Sequence, residues 1–167
     1  SLKKGRRIEE LEQFALNDSM TGFYNRNAYD YFIYNEKNIK NYMVVTFDLN
    51  NLKMCNDNYG HSSGDAYIIH SAHIIETTFD RFGKCYRIGG DEFCCLIPDA
   101  AEFQIERFIQ KMQQDIAILN NKNIIPTEVG IACGYALATP DDADIEKVRE
   151  RADEMMYHNK KVLKGLI

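Results

Sequence analysis

The chain has 167 residues, 45% hydrophobic and 27% charged, which suits one packed domain and excludes disordered, collagenous and low-complexity classes. Twenty Lys and Arg stand against twenty-five Asp and Glu, and the net charge of -5 disfavours indiscriminate nucleic-acid binding. No apolar run approaches the roughly 18 residues of a membrane helix, and Lys3, Lys4, Arg6 and Arg7 precede no apolar leader segment. The expectation is a soluble, cytoplasmic chain with no nucleic-acid partner and no membrane segment within these residues.

Residues 2–16 read as a charged helix with Ile8, Leu11 and Ala15 on one stripe. Two readings stay open here: a helix packed on the body, or the tail of a longer helix arriving from a sensory or dimerising segment. Residues 17–26, NDSMTGFYNR, cluster turn formers, and Asn25 is placed to cap a helix over 26–36. A strand is predicted over 42–49, a near-continuous apolar run with Val44, Thr46 and Asp48 on one face, which suits a central strand but leaves Asp48 ill-placed. After a polar segment, 50–62, Ser62 or Ser63 caps a helix carrying Ile68, Ala72, Ile75 and Phe79 at helical spacing.

Two short runs, 85–88 and 93–97, form a hairpin with Gly89, Gly90, Asp91 and Glu92 at its tip. A helix over 101–120, a strand over 127–138 and a helix over 144–163 complete the chain. The expected fold is α/β in the α+β sense, a mixed central sheet of about five strands with flanking helices. The five cysteines, Cys55, Cys85, Cys94, Cys95 and Cys133, include no C-x-x-C pair, so they read as reduced core residues and neither a disulfide framework nor a zinc site.

Three acids stand where an apolar or neutral residue would be cheaper: Asp48 in the interior strand, and Asp91 with Glu92 on the hairpin tip. Burying an unpaired carboxylate costs several kcal/mol, and converging carboxylates repel, so a cation among them is the natural reason for the arrangement. Magnesium suits a site of hard oxygen donors without clustered His and Cys. Taken alone, Asp91 and Glu92 also read as a solvated turn. Lys53, and Lys160 with Lys164 at i and i+4, are placed to hold phosphates, although two lysines also suit a solvated helix end.

Asn56 and Asp65 have ordinary placements as a turn residue and a first-turn helix acid. Their alternative role is to read a base edge: Asp65 accepts from two N–H groups, as guanine offers and adenine does not, and Asn56 both donates and accepts. His70 and His73 read as surface or interface residues, His61 as a turn residue, and neither a GxxxxGK[ST] loop nor a GxGxxG fingerprint is present.

The ordered motifs NDSMTGFYNR, FDLNNLKMCNDNYGHSSGD, RIGGDEF and YHNKKVLK resemble the GGDEF family of diguanylate cyclases over about residues 17–164. The resemblance implies a domain over 17–167, with 1–16 the end of an upstream signalling linker, and a fold similar to nucleotide cyclases and polymerase palms. It implies Asp48, Asp91 and Glu92 as the catalytic acids, with Asp48, Asp91 and the Leu49 carbonyl holding magnesium, or manganese in its place. Lys53, Lys160 and Lys164 match phosphate-contacting positions, and Asn56 and Asp65 match guanine-reading ones.

The implied reaction condenses two GTP into cyclic di-GMP with loss of two pyrophosphates. Since one subunit holds one GTP, it needs a homodimer, here driven by a sensory or dimerising domain upstream. The alternative is a catalytically silent GTP-binding regulatory module. Asn50 and Leu52 replace the family's usual Asp and Phe, and Lys164 its usual Arg, which loses bidentate phosphate recognition. Residues 80–83, DRFG, lack the R-x-x-D product-inhibition pattern, so no such site is expected.

Overall fold

The computed structural model describes residues 2–165. In chain order the elements are α1 (Leu2–Leu16), α2 (Arg26–Asn35), β1 (Met43–Leu49), α3 (Leu52–Tyr59), α4 (His61–Phe79), β2 (Lys84–Arg87), β3 (Glu92–Ile97), α5 (Ile105–Asn121), β4 (Ile131–Leu137) and α6 (Ile145–Leu163). The strands form one sheet in the order β2-β3-β1-β4, and every ladder in it is antiparallel. The sheet has four strands, not five. What extends it is a single residue, Tyr24, which bridges Asn17 antiparallel and Tyr86 parallel. That is one rung beside the β2 edge and too short for a strand.

β1 is buried along its whole length because both faces of the sheet are covered. Val45, Phe47 and Leu49 join Tyr67, Ile75 and Phe79 of α4 and Met112 of α5 in one core. Val44 faces the opposite way, with Tyr29 of α2 and Ile145, Val148 and Ala152 of α6 in a second. Each fully buried large aliphatic or aromatic side chain contributes about 1.5–3 kcal/mol of transfer free energy. α6 lies very close to β4: a Cβ on Gly134 would stand 2.2 Å from the Ala152 carbonyl oxygen and 2.3 Å from the Met156 nitrogen. This approach brings the C-terminal half of α6 over the end of β1.

Asn25 caps α2 by accepting from the Ala28 N–H at 3.0 Å, and Asp144 caps α6 by accepting from the Lys147 N–H at 3.1 Å. The polar segment over 50–62, to which the sequence assigns no element, contains a helix, α3. Asn51 and Gly60 flank it with positive φ values of 59° and 90°, and α3 and the next helix meet at Gly60. The next helix accordingly begins at His61, with Ser62 and Ser63 inside its first turn and neither as its cap. α5 begins at Ile105, after a turn in which the Ala100 N–H is held by the Asn41 carbonyl at 2.8 Å.

α1 joins the body at its C-terminal end, where the Asn25 backbone N–H donates to the Leu16 carbonyl at 2.8 Å and the Asn25 side chain to the Ala15 carbonyl at 2.9 Å. Ile8 and Leu11 on its stripe are 50% and 60% exposed. No described helix is long and apolar enough to cross a membrane. All five cysteines are free and buried, as their reading as core residues required.

Candidate active site

Asp48 is the penultimate residue of β1, only 4% exposed, with Glu92 of β3 directly opposite on one side and Ala132 of β4 on the other. Side chains directly opposed across an antiparallel pair share a face, with Cβ atoms about 4.5–5.5 Å apart, and like charges there repel. α6 covers this face, and Lys160 Nζ donates to Asp48 Oδ2 at 2.9 Å. The second oxygen, Oδ1, is buried and accepts no hydrogen bond from an N–H or O–H donor, while the Asp91 carboxyl lies within hydrogen-bonding reach of the Asp48 carboxyl. Burial pushes the Asp48 carboxyl above its ordinary range, with Asp91 adding to the rise and Lys160 opposing it. Burial also pushes Glu92 up, followed by the charges of Asp48, Asp91 and Asp153, while Arg149 pulls the other way. The site is therefore a set of mutually repelling acids in which one ammonium does part of a cation's work.

The backbone adds an oxygen. The Leu49 N–H donates to the Asp91 carbonyl at 3.0 Å, and the next N–H, that of Asn50, points away to the Gly130 carbonyl at 2.8 Å. In a planar trans peptide the carbonyl opposes the N–H, so the Leu49 carbonyl faces the Asp91 side. Among the described residues no three His, Cys, Asp or Glu side chains are gathered as a ready metal cage. The donors that fit a hard cation are two carboxylates, Asp48 and Asp91, with the Leu49 carbonyl. That sparse set is what magnesium uses when phosphate and water complete its shell. The unpaired Asp48 Oδ1 is the observation in favour of the fit.

The hairpin tip that carries Asp91 is wired to the turn before α2. Arg87 Nη2 donates to the Gly90 carbonyl at 2.9 Å, and Nη1 to both oxygens of Asp18 at 3.2 Å. Asp18 also accepts from the Thr21 N–H at 2.9 Å and its hydroxyl at 2.7 Å. Burial works to raise the Asp18 carboxyl, but the Thr21 and Arg87 contacts outweigh it and hold the group below its ordinary value. Sequence reasoning did not assign a role to Asp18 or Arg87. The signal was present: an Asx-type turn, NDSMTG, and an arginine two residues before the paired glycines.

Asn56 of α3 and Asp65 of α4 sit on adjoining helices joined at Gly60. A Cβ on Gly64 would stand 1.6 Å from Asn56 Oδ1, so the Asn56 amide lies against the backbone immediately before Asp65. Both residues are half-buried. Lys53, in the first turn of α3, and Lys164, capping α6, are exposed. Lys160, expected beside Lys164 for phosphate, is instead drawn to Asp48 and is 25% exposed. His70 and His73 lie elsewhere, lining a cavity of about 260 Å³ with residues of α5. Arg81, in the segment lacking the R-x-x-D pattern, stacks on Phe82 and Phe108, its guanidinium carbon 4.6 and 5.6 Å from the ring centroids.

The family described as "Diguanylate cyclase, GGDEF domain" matches residues 15–164. Among curated proteins, the chain is 31% identical over 157 residues to diguanylate cyclase DgcN of Escherichia coli K12, covering 90% of this chain and 38% of that protein. It is 27% identical over 161 residues to diguanylate cyclase DgcS of Shewanella oneidensis, covering 91% and 52%. The chain thus spans 38% and 52% of the length of these two relatives. Of solved structures, the coiled coil and GGDEF domain of DgcB from Caulobacter crescentus, in complex with c-di-GMP, matches with a TM-score of 0.83 and 22% identity, over 95% of this chain and 87% of that one. The GGDEF domain of FimX from Pseudomonas aeruginosa matches with a TM-score of 0.72 and 18% identity, over 87% and 94%. At these identities the likeness to the solved structures is one of fold. The sequence match covers residues 15–164 and so every element from α2 to α6, and on that ground the chain belongs to the GGDEF domain family of diguanylate cyclases.

Proposed function

We propose that the chain is an active diguanylate cyclase, joining two GTP into cyclic di-GMP with release of two pyrophosphates. The observation that carries this reading is Asp48, a buried carboxylate with one oxygen unpaired, directly across from Glu92 and within the field of Asp91. A buried carboxylate beside other acids costs the fold stability, and a bound cation would offset that cost. Asp48, Asp91 and the Leu49 carbonyl are the residues that would hold magnesium or manganese, which supplies Lewis acidity toward phosphoryl oxygens when bound.

The chain's own residues do the rest. Asn56 and Asp65 take the guanine edge, with Asp65 accepting from N1–H and the N2 amino group. Lys53 and Lys164 are exposed and able to meet phosphate oxygens as point charges, and Lys160 opposes the rise that burial imposes on the Asp48 carboxyl. Each subunit presents one base-reading pair, so two subunits face each other. The 3′-oxygen of each GTP bonds to the α-phosphorus of the other, both α–β phosphoanhydride bonds break, and two pyrophosphates leave. Residues 1–16 act as the end of a linker from an upstream sensory or dimerising domain. The exposed stripe of α1 supports that role over packing against the body. Without an Arg and Asp at 80 and 83, and with Arg81 engaged by two phenylalanines, the product finds no inhibitory site there.

Two observations favour a silent GTP-binding module instead: Lys160 is committed to Asp48, and Lys164 replaces the usual Arg, so the phosphate grip is weaker. Incubation with GTP and magnesium at a concentration that enforces dimers separates the two readings. Pyrophosphate and cyclic di-GMP in a 2:1 ratio support the cyclase, and bound GTP without either product establishes the silent module.

A further inference from the structure

Tyr67, on α4 two residues beyond Asp65, is completely buried in the core, yet its hydroxyl reaches the point where β1 ends. The β1-β4 ladder runs to the Leu49 and Ile131 pair, and the next pair in register is Asn50 with Gly130. One of the two hydrogen bonds such a pair exchanges is direct, from the Asn50 N–H to the Gly130 carbonyl at 2.8 Å. The other is interrupted by the Tyr67 hydroxyl. The Gly130 N–H donates to it at 2.9 Å, and it donates to the Asn50 carbonyl at 2.6 Å, with the Gly130 carbonyl also within reach at 3.1 Å. Burial pushes this phenol up to about 12, so it stays a neutral donor at working pH.

The inserted hydroxyl holds the strands apart by one oxygen at the place where the chain leaves the sheet, turns through Asn51 at a φ of 59° and enters α3. We infer that Tyr67 is a positioning residue: its hydroxyl ties the helix that bears Asp65 to the Asn50 peptide beside the Leu49 carbonyl, and so fixes the distance between the base-reading end and the cation end of the nucleotide site. The inference rests on the reading of this site as a nucleotide site and names the part that sets its span. Removing the hydroxyl leaves the buried Gly130 N–H and Asn50 carbonyl unpaired, or lets the strands close to a direct bond and swing α3 with Lys53 and Asn56. A ligand that engages one end feels this little. A ligand that engages both depends on the span, as two linked binding events depend on effective concentration.

The test compares the full wild-type chain with Tyr67→Phe in three titrations: GTP in EDTA, Mn2+ alone, and GTP with magnesium. Loss of about tenfold in affinity for GTP with magnesium, against changes within about twofold for the other two, is the expected result. An unchanged GTP-magnesium affinity, or a proportional loss in all three, overturns the inference. Should the variant fold poorly, amide exchange of Gly130 in the wild type replaces it: slowing by GTP with magnesium beyond that seen with either partner alone supports the tether, and no such excess refutes it. A wild-type chain that binds GTP with magnesium but yields no cyclic product sinks the cyclase reading alone, because these measurements read binding. A wild type that binds none of the three ligands sinks both.

Discussion

Lys160 and Asp48 are 112 residues apart in sequence and 2.9 Å apart in space, an ion pair between the last helix and the central strand. The pair satisfies one carboxylate oxygen and leaves the other without an N–H or O–H donor. Lys160 is therefore a partial counter-ion, and its removal should show how much charge the site tolerates. In EDTA at pH 7.5, Lys160→Met should unfold more easily by about 1–3 kcal/mol, less than a fully buried pair because the ammonium is partly exposed. The deficit should shrink at pH 5, where Asp48 takes a proton more readily. Thermal melts at the two pH values check this, and an identical deficit at both would mean that the lysine contributes packing only.

Neutralising the acid itself should act in the opposite direction. The Asp48 carboxyl lies above its ordinary value because it is buried and near Asp91, and Glu92 is raised in the same way. A folded-state pKa above the unfolded one means that the native state favours the proton. The group's stabilising contribution is present below the ordinary carboxylate range and is lost as pH rises through the raised value. At neutral pH without divalent ions, Asp48→Asn should therefore melt higher than wild type, with the advantage vanishing toward pH 4. Turnover with GTP and magnesium should fall by at least about a hundredfold. A variant that melts lower than wild type at neutral pH in EDTA would mean that the ionised carboxylate stabilises the fold, the reverse of what its burial beside Asp91 requires.

The strands and the cap of α2 were legible because they are local. β1 follows from a near-continuous apolar run and the hairpin from a glycine turn, and Asn25 caps α2 as its sequence suggests, whereas Ser62 and Ser63 fall inside α4 and not at its cap. α3 was not legible. Its eight residues, LKMCNDNY, are too few to establish a helical period, and both its ends depend on positive φ at Asn51 and Gly60, which composition does not reveal. The acids could be named from their unsuitability to a buried strand and a turn, whereas their partners could not. Lys160 meeting Asp48, Arg87 meeting Asp18 and Tyr67 meeting Asn50 are contacts between residues 17 to 112 positions apart, and no period or propensity encodes them.

Gly64 offers a test of the proposed base reading by Asn56 and Asp65 that replaces neither side chain. Inside a helix, Ala is normally favoured over Gly by about 0.5–1 kcal/mol. Here the added Cβ would meet Asn56 Oδ1 at 1.6 Å and force that amide away from Asp65. Gly64→Ala should therefore keep the melting temperature within a few degrees of wild type while raising the KM for GTP about tenfold or more and eroding the preference for GTP over ATP. Competition between the two nucleotides measures it directly. Retained preference would place the guanine elsewhere.

Arg87 tests whether the hairpin tip must be held from outside. One guanidinium group reaches Gly90 in the tip and Asp18 in the turn before α2 at the same time, which a planar fork does and an ammonium does not. In Arg87→Lys the charge remains and the bridge is lost, so Asp91 keeps its chemistry but no longer its fixed place beside the Leu49 backbone. Cyclic di-GMP formation should drop about ten- to a hundredfold, mainly in kcat, because misplacing a reacting group by an ångström has that effect. Amide exchange at Gly89 and Gly90 should quicken in the variant. If Lys restores both the rate and the slow exchange, the contact is electrostatic alone and the link from the Asp18 turn to the tip carries no positional information.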